Sequence, residues 1–340
     1  MASPQKTCNT CGREYTTESD FLTNTTRWRM CERGNLWFNC NCNSTIMIIK
    51  GKFDWYSPDK FMSKSAASVF NTLPALQHLP HLPTAVMELQ TLIKDENTDS
   101  SQLAQISKRD PLIASNILKI ANNLKASSGQ AIESLEHAIS YIGLNTMADI
   151  VLTASISAFP FETTIFKSDD FWEEAFLTGR IAENLARKFA PHIIPDEAYL
   201  SGALCNVGKV IMAICFPKQA DRIVRDSQDV KILTSWVQGE KAHKTQDHTI
   251  LGEIAATFWG LPEYVMSCAA HHHSTTEKSP NDPIEMEDIT RLANQLTHWV
   301  MLAPNRIQEE VLEKSFKQFG MNRSDGEALA DQLIPLKQTA

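Results

Sequence analysis

From residue 73 to the C-terminus, helix start and stop signals recur at short intervals and no sustained two-residue alternation of apolar and polar positions appears. A half-buried sheet needs that alternation and a helix needs a 3.6-residue stripe, so this stretch reads as an all-helical fold. Asp110–Pro111 sets a capping carboxylate before a proline at the first helical position, and Ile113 and Ile117 follow on one face. Pro83 or Thr84 starts a helix carrying Val86, Leu89 and Ile93, and Ser100 or Ser101 caps the next. Ser134 opens a helix that stops at Gly143, after which Asn145 is the expected cap. A helix from Asp170 to about Phe189 presents Ala175, Gly179, Ala182 and Ala186 as a stripe of small residues, which lets a neighbouring helix approach closely. Further helices are predicted near 196–204, 208–216, 218–238, 247–259 and 262–272, the last two separated by Gly260–Leu261–Pro262. Three more follow Pro280 and Pro283.

Residues 1–57 have another texture. Five of the eight cysteines lie in the first 42 residues, while Cys205, Cys215 and Cys268 sit singly in apolar helical stretches as small buried hydrophobes. Arg27–Cys31 and Leu36–Phe38 are β-prone and flank a Gly34–Asn35 turn. Cys8 and Cys11 form a CxxC knuckle and Cys40 and Cys42 a CxC pair, and two close pairs brought together by short β-turns make a tetrahedral thiolate site. We expect one structural Zn²⁺ per chain on Cys8, Cys11, Cys40 and Cys42, with Cys31 the rival fourth ligand. Unrelated thiols or a redox CxxC are the competing reading. A segment this short and polar has little core, so metal binding supplies its folding energy.

The length of 340 residues suits two units. The expected division is a β-rich zinc module at 1–57, a linker at 58–72 that runs into a short helix, a helical domain at 73–277 and its helical extension at 278–340. A net charge of −8 speaks against a surface built for duplex DNA. Arg27, Trp28 and Arg29 facing Trp37 and Phe38 offer a stacking platform for nucleic acid, weighed against these aromatics being the module's own core. The most apolar run, Val207–Phe216, contains Lys209 and is too short to span a bilayer, so a cytoplasmic protein without a membrane role is expected.

Several motifs from Leu79 to Ser274 carry a resemblance. They are Leu79–Pro80 with Leu82–Pro83, Asp110–Pro111–Leu112, Ala138 to Gly143, Asp170–Phe171–Trp172, Gly202 to Lys209, and His248 through Gly252 and Trp259–Gly260–Leu261–Pro262 to His271–His272. In this order they resemble the HDOD domain, a divergent relative of the HD and HD-GYP phosphohydrolases. The resemblance implies an HD-like all-helical domain and a degenerate metal site. Glu174 stands where the catalytic relatives carry a histidine, Cys205–Asn206 replaces their paired His–Asp, and Asn294 replaces a later aspartate. His248, His271 and His272 remain in matching places. Neutral amides are weak ligands, and metal-assisted phosphoester cleavage needs a bridging carboxylate and several imidazoles. Residual metal binding through Glu174, Cys205 and the histidines stays open.

Three functions follow. The resemblance implies a bacterial signal-transduction protein without catalysis, whose helical domain binds a small molecule or a protein acting in trans. A degenerate metal-dependent phosphohydrolase is the alternative from the enzyme class. A nucleic-acid-binding regulator using the zinc module is the third.

Overall fold

The computed structural model describes residues 6–8, 11–15, 20–21, 25–30, 36–40, 45–48, 62–80, 82–93, 98–124, 132–228, 235–274, 282–302 and 309–334. The N-terminal part is β-rich. Strands β1 (Lys6–Thr7) and β2 (Glu14–Tyr15) pair antiparallel, and β3 (Thr25–Met30), β4 (Leu36–Cys40) and β5 (Thr45–Ile48) form a three-stranded antiparallel meander. The expected hairpin is thus β3–β4, with a register shift between Arg27 and Arg29. Tyr15, Phe21, Phe38 and Ile46 are buried, and Phe21 meets Tyr15 and Phe38 edge-on at 5.0 and 4.7 Å between ring centroids. Phe38 therefore belongs to the core of the module and not to an exposed stacking platform. The side chains of Arg27, Trp28, Arg29 and Trp37 lie outside the described residues.

Helix α1 (Lys64–Thr72) lies in the 58–72 segment, where a linker running into a short helix is expected. Its Ala66 and Phe70 are buried in the main core, and Ser63, which caps it, donates to Glu253 Oε2 at 2.8 Å. A short 3₁₀ turn (Pro74–His78) leads to α2 (Thr84–Leu92), α3 (Ser100–Ser107), α4 (Pro111–Leu124), α5 (Leu135–Ile142) and α6 (Leu144–Ser157). Two caps differ from expectation. Asp99, not Ser100 or Ser101, caps α3 in a reciprocal capping box with Gln102. Gly143 at φ 91° ends α5 and begins α6 directly, so Asn145 falls inside the first turn and caps nothing.

The centre is built by α7 (Ser168–Phe189) against α8 (Pro195–Leu204). The small-residue stripe works as expected: a Cβ on Gly179 would lie 2.8 Å from the Tyr199 carbonyl oxygen, and one on Gly202 would lie 2.8 Å from Ala182 Cβ. Then follow α9 (Val207–Cys215), α10 (Pro217–Gln228), α11 (Trp236–His243), α12 (His248–Trp259) and α13 (Glu263–His271). The single helix expected over 218–238 is two, because Ser235 forms a capping box with Gln238 and starts α11 afresh. Gly260 at φ 64° ends α12, where an L side chain would be strained, and Pro262 caps α13. The indole of Trp259 donates to the Pro80 carbonyl at 2.7 Å, tying the Leu79–Pro80 entry to α12.

Helices α14 (Met286–Leu302), α15 (Glu309–Gln318) and α16 (Arg323–Leu333) close one side of α7. Leu177, Ile181 and Leu185 of α7 pack there with Ile289, Leu292, Leu296 and Phe316 as a second apolar cluster. The stretch Pro195–Cys215 is long and apolar enough to cross a membrane by composition, but 83% of its most apolar window is buried inside the fold. It is core.

Candidate functional site

Helices α7, α9, α11, α12 and α14 and the turn after α13 contribute to one polar region inside this apolar domain. Two helices meet there without side chains between them. A Cβ on Gly208 would fall 1.8 Å from the His248 carbonyl oxygen and 2.6 Å from the Gly252 nitrogen, so α9 and α12 touch backbone to backbone. This contact sets Asn206 and Lys209 beside His248.

The first part of the site is neutral. Asn206 donates from Nδ2 to Asn294 Oδ1 at 2.9 Å and lies 3.6 Å from Cys205 Sγ. The Cys205 thiol donates to the Gly202 carbonyl at 3.2 Å, and burial pushes its pKa above the ordinary thiol range. Cys205 is thus a buried thiol in an apolar environment.

The second part is an imidazole cluster. His248 Nε2 lies 3.2 Å from His272 Nε2 and 3.1 Å from His273 Nε2. Glu240 Oε1 receives the Trp236 indole N–H at 2.9 Å, the His248 backbone N–H at 2.8 Å and His248 Nδ1 at 3.0 Å. Burial pushes the Glu240 carboxyl up to about 7, against the pull of these hydrogen bonds. Burial first, then the neighbouring cationic groups, lowers the pKa of all three histidines, so the rings are neutral. His248 and His272 are fully buried, and His273 is the member facing solvent.

The third part carries charge. Lys209 Nζ, on a largely buried side chain, lies 3.9 Å from Glu174 Oε1 and 5.1 Å from the centre of the Trp236 ring. His298 Nε2 approaches the same Glu174 oxygen at 3.8 Å. Burial works to raise the Glu174 pKa, but His298 and Lys209 outweigh it and hold the carboxyl below its usual value.

Of the expected remnant, Cys205, Asn206 and Asn294 are brought together, and His248 meets His272. Glu174 is held by Lys209 and His298. His271 is the exception: it is exposed, and its Nδ1 donates to the Ser267 carbonyl at 3.0 Å. His273 takes the place expected for it. The buried positions of α13 are Val265, Cys268 and Ala269, and the same stripe continues to His272 and bypasses His271. That stripe was readable in advance. His298 was also within reach, four residues after Asn294 and so on the same helix face. Glu240 had no comparable signal.

At the N-terminus the thiols of Cys8, Cys11 and Cys40 converge, all within 4.8 Å of one another. Cys11 and Cys40 Sγ are 3.7 Å apart, close to the roughly 3.8 Å separation of two thiolates about 2.3 Å from a tetrahedral Zn²⁺. Gly12 at φ 73° closes the knuckle by donating to the Cys8 carbonyl at 2.9 Å. The Tyr15 hydroxyl lies 2.9 Å from Cys40 Sγ; burial and this bond raise its pKa, so it is the O–H donor to sulfur. Cys42 and Cys31 lie outside the described residues.

The helical architecture around this site defines a known class of all-helical domain. Residues 79–275 match the HDOD domain, and the chain belongs to that family. It is similar in fold to a crystal structure of an HDOD domain protein of unknown function from Geobacter sulfurreducens, with a TM-score of 0.60 at 18% identity over 81% of this chain and 94% of that one. A putative phosphohydrolase from Shewanella amazonensis SB2B gives 0.61 at 20% identity over 82% and 97%. A putative metal-dependent phosphohydrolase from the same organism gives 0.54 at 19% identity over 82% and 99%. An uncharacterized protein of Treponema pallidum (strain Nichols) is 21% identical over 212 residues, 62% of this chain and 40% of that protein, so the match spans less than half of the relative's length.

Proposed function

We propose that this protein is a non-catalytic signalling or regulatory module, with a helical domain that binds a ligand or partner and an N-terminal module held by structural zinc. The observation that carries this reading is the Asn206–Asn294 hydrogen bond. In the catalytic relatives that the sequence resembles, aspartates stand at these two positions and supply carboxylates to the metal site. An amide pair bonded to itself supplies no negative charge. Hydrolysis of a phosphoester through a metal-activated water is left without its bridging ligand.

The protein should not turn over a cyclic dinucleotide or a nucleotide in the presence of Mn²⁺, Fe²⁺, Mg²⁺ or Ni²⁺. Chromatography of the reaction mixture over many hours checks this. Product formation that disappears in His248→Ala would establish a rebuilt hydrolase and replace the regulatory reading.

The zinc module makes a separate prediction. Anaerobically purified protein should carry zinc that is lost in Cys40→Ser and kept in Cys31→Ser. Chelation should open residues 1–57 to proteolysis while the helical circular dichroism persists, because the strands have a small core and the helices a large one. Elemental analysis finding the same zinc content in wild type and Cys40→Ser rules the assignment out.

A further inference from the structure

We propose that the paired helices α10 and α11 form a docking surface for an acidic segment of a partner protein, a helix carrying carboxylates at i, i+4 and i+7. This names a partner chemistry for the regulatory reading above, on which its role rests.

Lys218, Arg222 and Arg225 of α10 are exposed and stand at i, i+4 and i+7, so they share one face. The opposite face holds Ala220 and Ile223, both fully buried, and a Cβ on Gly239 of α11 would come within 2.9 Å of Ile223 Cγ2. His243 Nε2, at the end of α11, lies 2.5 Å from Asp226 Oδ2, and Asp226 follows Arg222 by one turn. That bond sets the end of α11, with the exposed Lys241 and Lys244, alongside the row on α10.

These five cations are uncompensated. Among the described residues the other exposed arginines, Arg13, Arg109, Arg187 and Arg323, each pair with a carboxylate, whereas Arg222, Arg225 and the three lysines pair with none. The carboxylates of the two helices are used elsewhere. Asp221 accepts the Thr164 hydroxyl and the backbone N–H groups of Thr164, Ile165 and Phe166. Asp226 takes His243, and Glu240 is buried against Trp236 and His248. What faces solvent is positive, on a chain whose net charge is −8. The arrangement also works against local stability. Like charges three and four residues apart repel along α10, and Lys218 sits in its first turn, where the helix dipole disfavours a cation. Lys244 is the single non-glycine residue with positive φ among the described residues, at 50°, in the capping position that Gly260 fills on α12. Unfavourable backbone of this kind gathers at functional surfaces.

The row on α10 spans about 10 Å, seven residues at about 1.5 Å each. A helix with carboxylates at the same spacing lies along it and meets Lys218, Arg222 and Arg225 one for one. The two guanidinium groups suit carboxylates because each can bind one through two parallel hydrogen bonds. Nucleic acid fits less well, since base stacking needs exposed aromatic rings. The exposed large apolar side chains among the described residues are Tyr141, Ile194 and Ile334, none of them on this pair, and the Trp236 indole is committed to Glu240. A long polyanion would also run past the row onto a chain of net negative charge. A short acidic segment stays within about 8 Å, one Debye length, of these cations.

The test titrates the full-length protein into a fluorescently labelled, stapled helical peptide with glutamates at i, i+4 and i+7, read by anisotropy at physiological ionic strength. A peptide of the same composition with its glutamates spread round the helix and a single-stranded oligothymidylate are the comparisons. The patterned peptide should bind about tenfold tighter than the spread one, and Arg222→Gln combined with Arg225→Gln should weaken it about tenfold or more. The Tm of that double variant should match or exceed wild type, because the change removes a repulsion. Arg222→Glu combined with Arg225→Glu should reverse the preference and bind a lysine version of the patterned peptide. Equal binding of the two glutamate peptides, or of the patterned one by wild type and the glutamine variant, overturns the proposal. Tighter binding of the oligothymidylate that the glutamine variant loses would make this a nucleic-acid surface instead. Self-association of wild type that the glutamate variant loses would make the occupant a second copy of the chain. All of these readouts are separate from phosphoester turnover, so the regulatory reading is tested independently.

Discussion

Gly208→Ala should destabilise the helical domain by about 3 kcal/mol or more, seen as a fall in Tm of about 6 °C or more. The added methyl would sit 1.8 Å from the His248 carbonyl oxygen, 2.6 Å from the Gly252 nitrogen and 2.7 Å from the His248 carbonyl carbon. All three are backbone atoms, so no rotamer change relieves the overlap. Helices α9 and α12 must move apart by more than 1 Å, and the close packing on both sides of that crossing is lost with them. Gly252→Ala is the internal comparison. Its methyl would meet Ala269 Cβ at 3.2 Å, a contact that a few tenths of an ångström relieves, so a much smaller change is expected. Differential scanning calorimetry of the two variants measures the difference. A Gly208→Ala protein melting with wild type would mean that α9 and α12 are farther apart than described.

Glu240→Ala should cost about 3–5 kcal/mol in urea unfolding, because one carboxylate oxygen serves three donors. The Trp236 indole, the His248 backbone N–H and the His248 ring N–H would all lose their acceptor in a largely buried setting. Each stranded buried donor costs about 1–3 kcal/mol. Glu240→Gln keeps an amide oxygen in place and should lose less than half as much. An alanine variant within about 1 kcal/mol of wild type would show that water replaces the carboxylate freely and that His248 is not held in one tautomer.

Local chemistry made much of this protein readable from its residues. Asp110–Pro111, Ser134, Gly143 and Gly260–Leu261–Pro262 mark helix ends because capping, fixed φ and positive φ act within three or four residues and need no tertiary context. The small-residue stripe from Ala175 to Ala186 and the CxxC knuckle are periodic or short-range for the same reason. The order of motifs from Leu79 to His272 pointed to the family. Where local signals compete, the sequence was ambiguous: Asp99 was a better cap than its serine neighbours because Gln102 could answer it, and Ser235 broke a helix that apolar spacing alone continued.

The site itself was divided. His248, His272, Cys205, Asn206 and Asn294 came from motif matching, and the buried stripe of α13 separates His272 from His271. The placement of His273, the acceptor role of Glu240 and the Lys209–Glu174–His298 grouping were settled only by tertiary structure. Each joins residues on different helices, some of them up to 124 positions apart, and depends on how closely those helices approach. For α9 and α12 that approach is set by a backbone contact at Gly208, and no periodicity along the chain reports which carbonyl the glycine will meet.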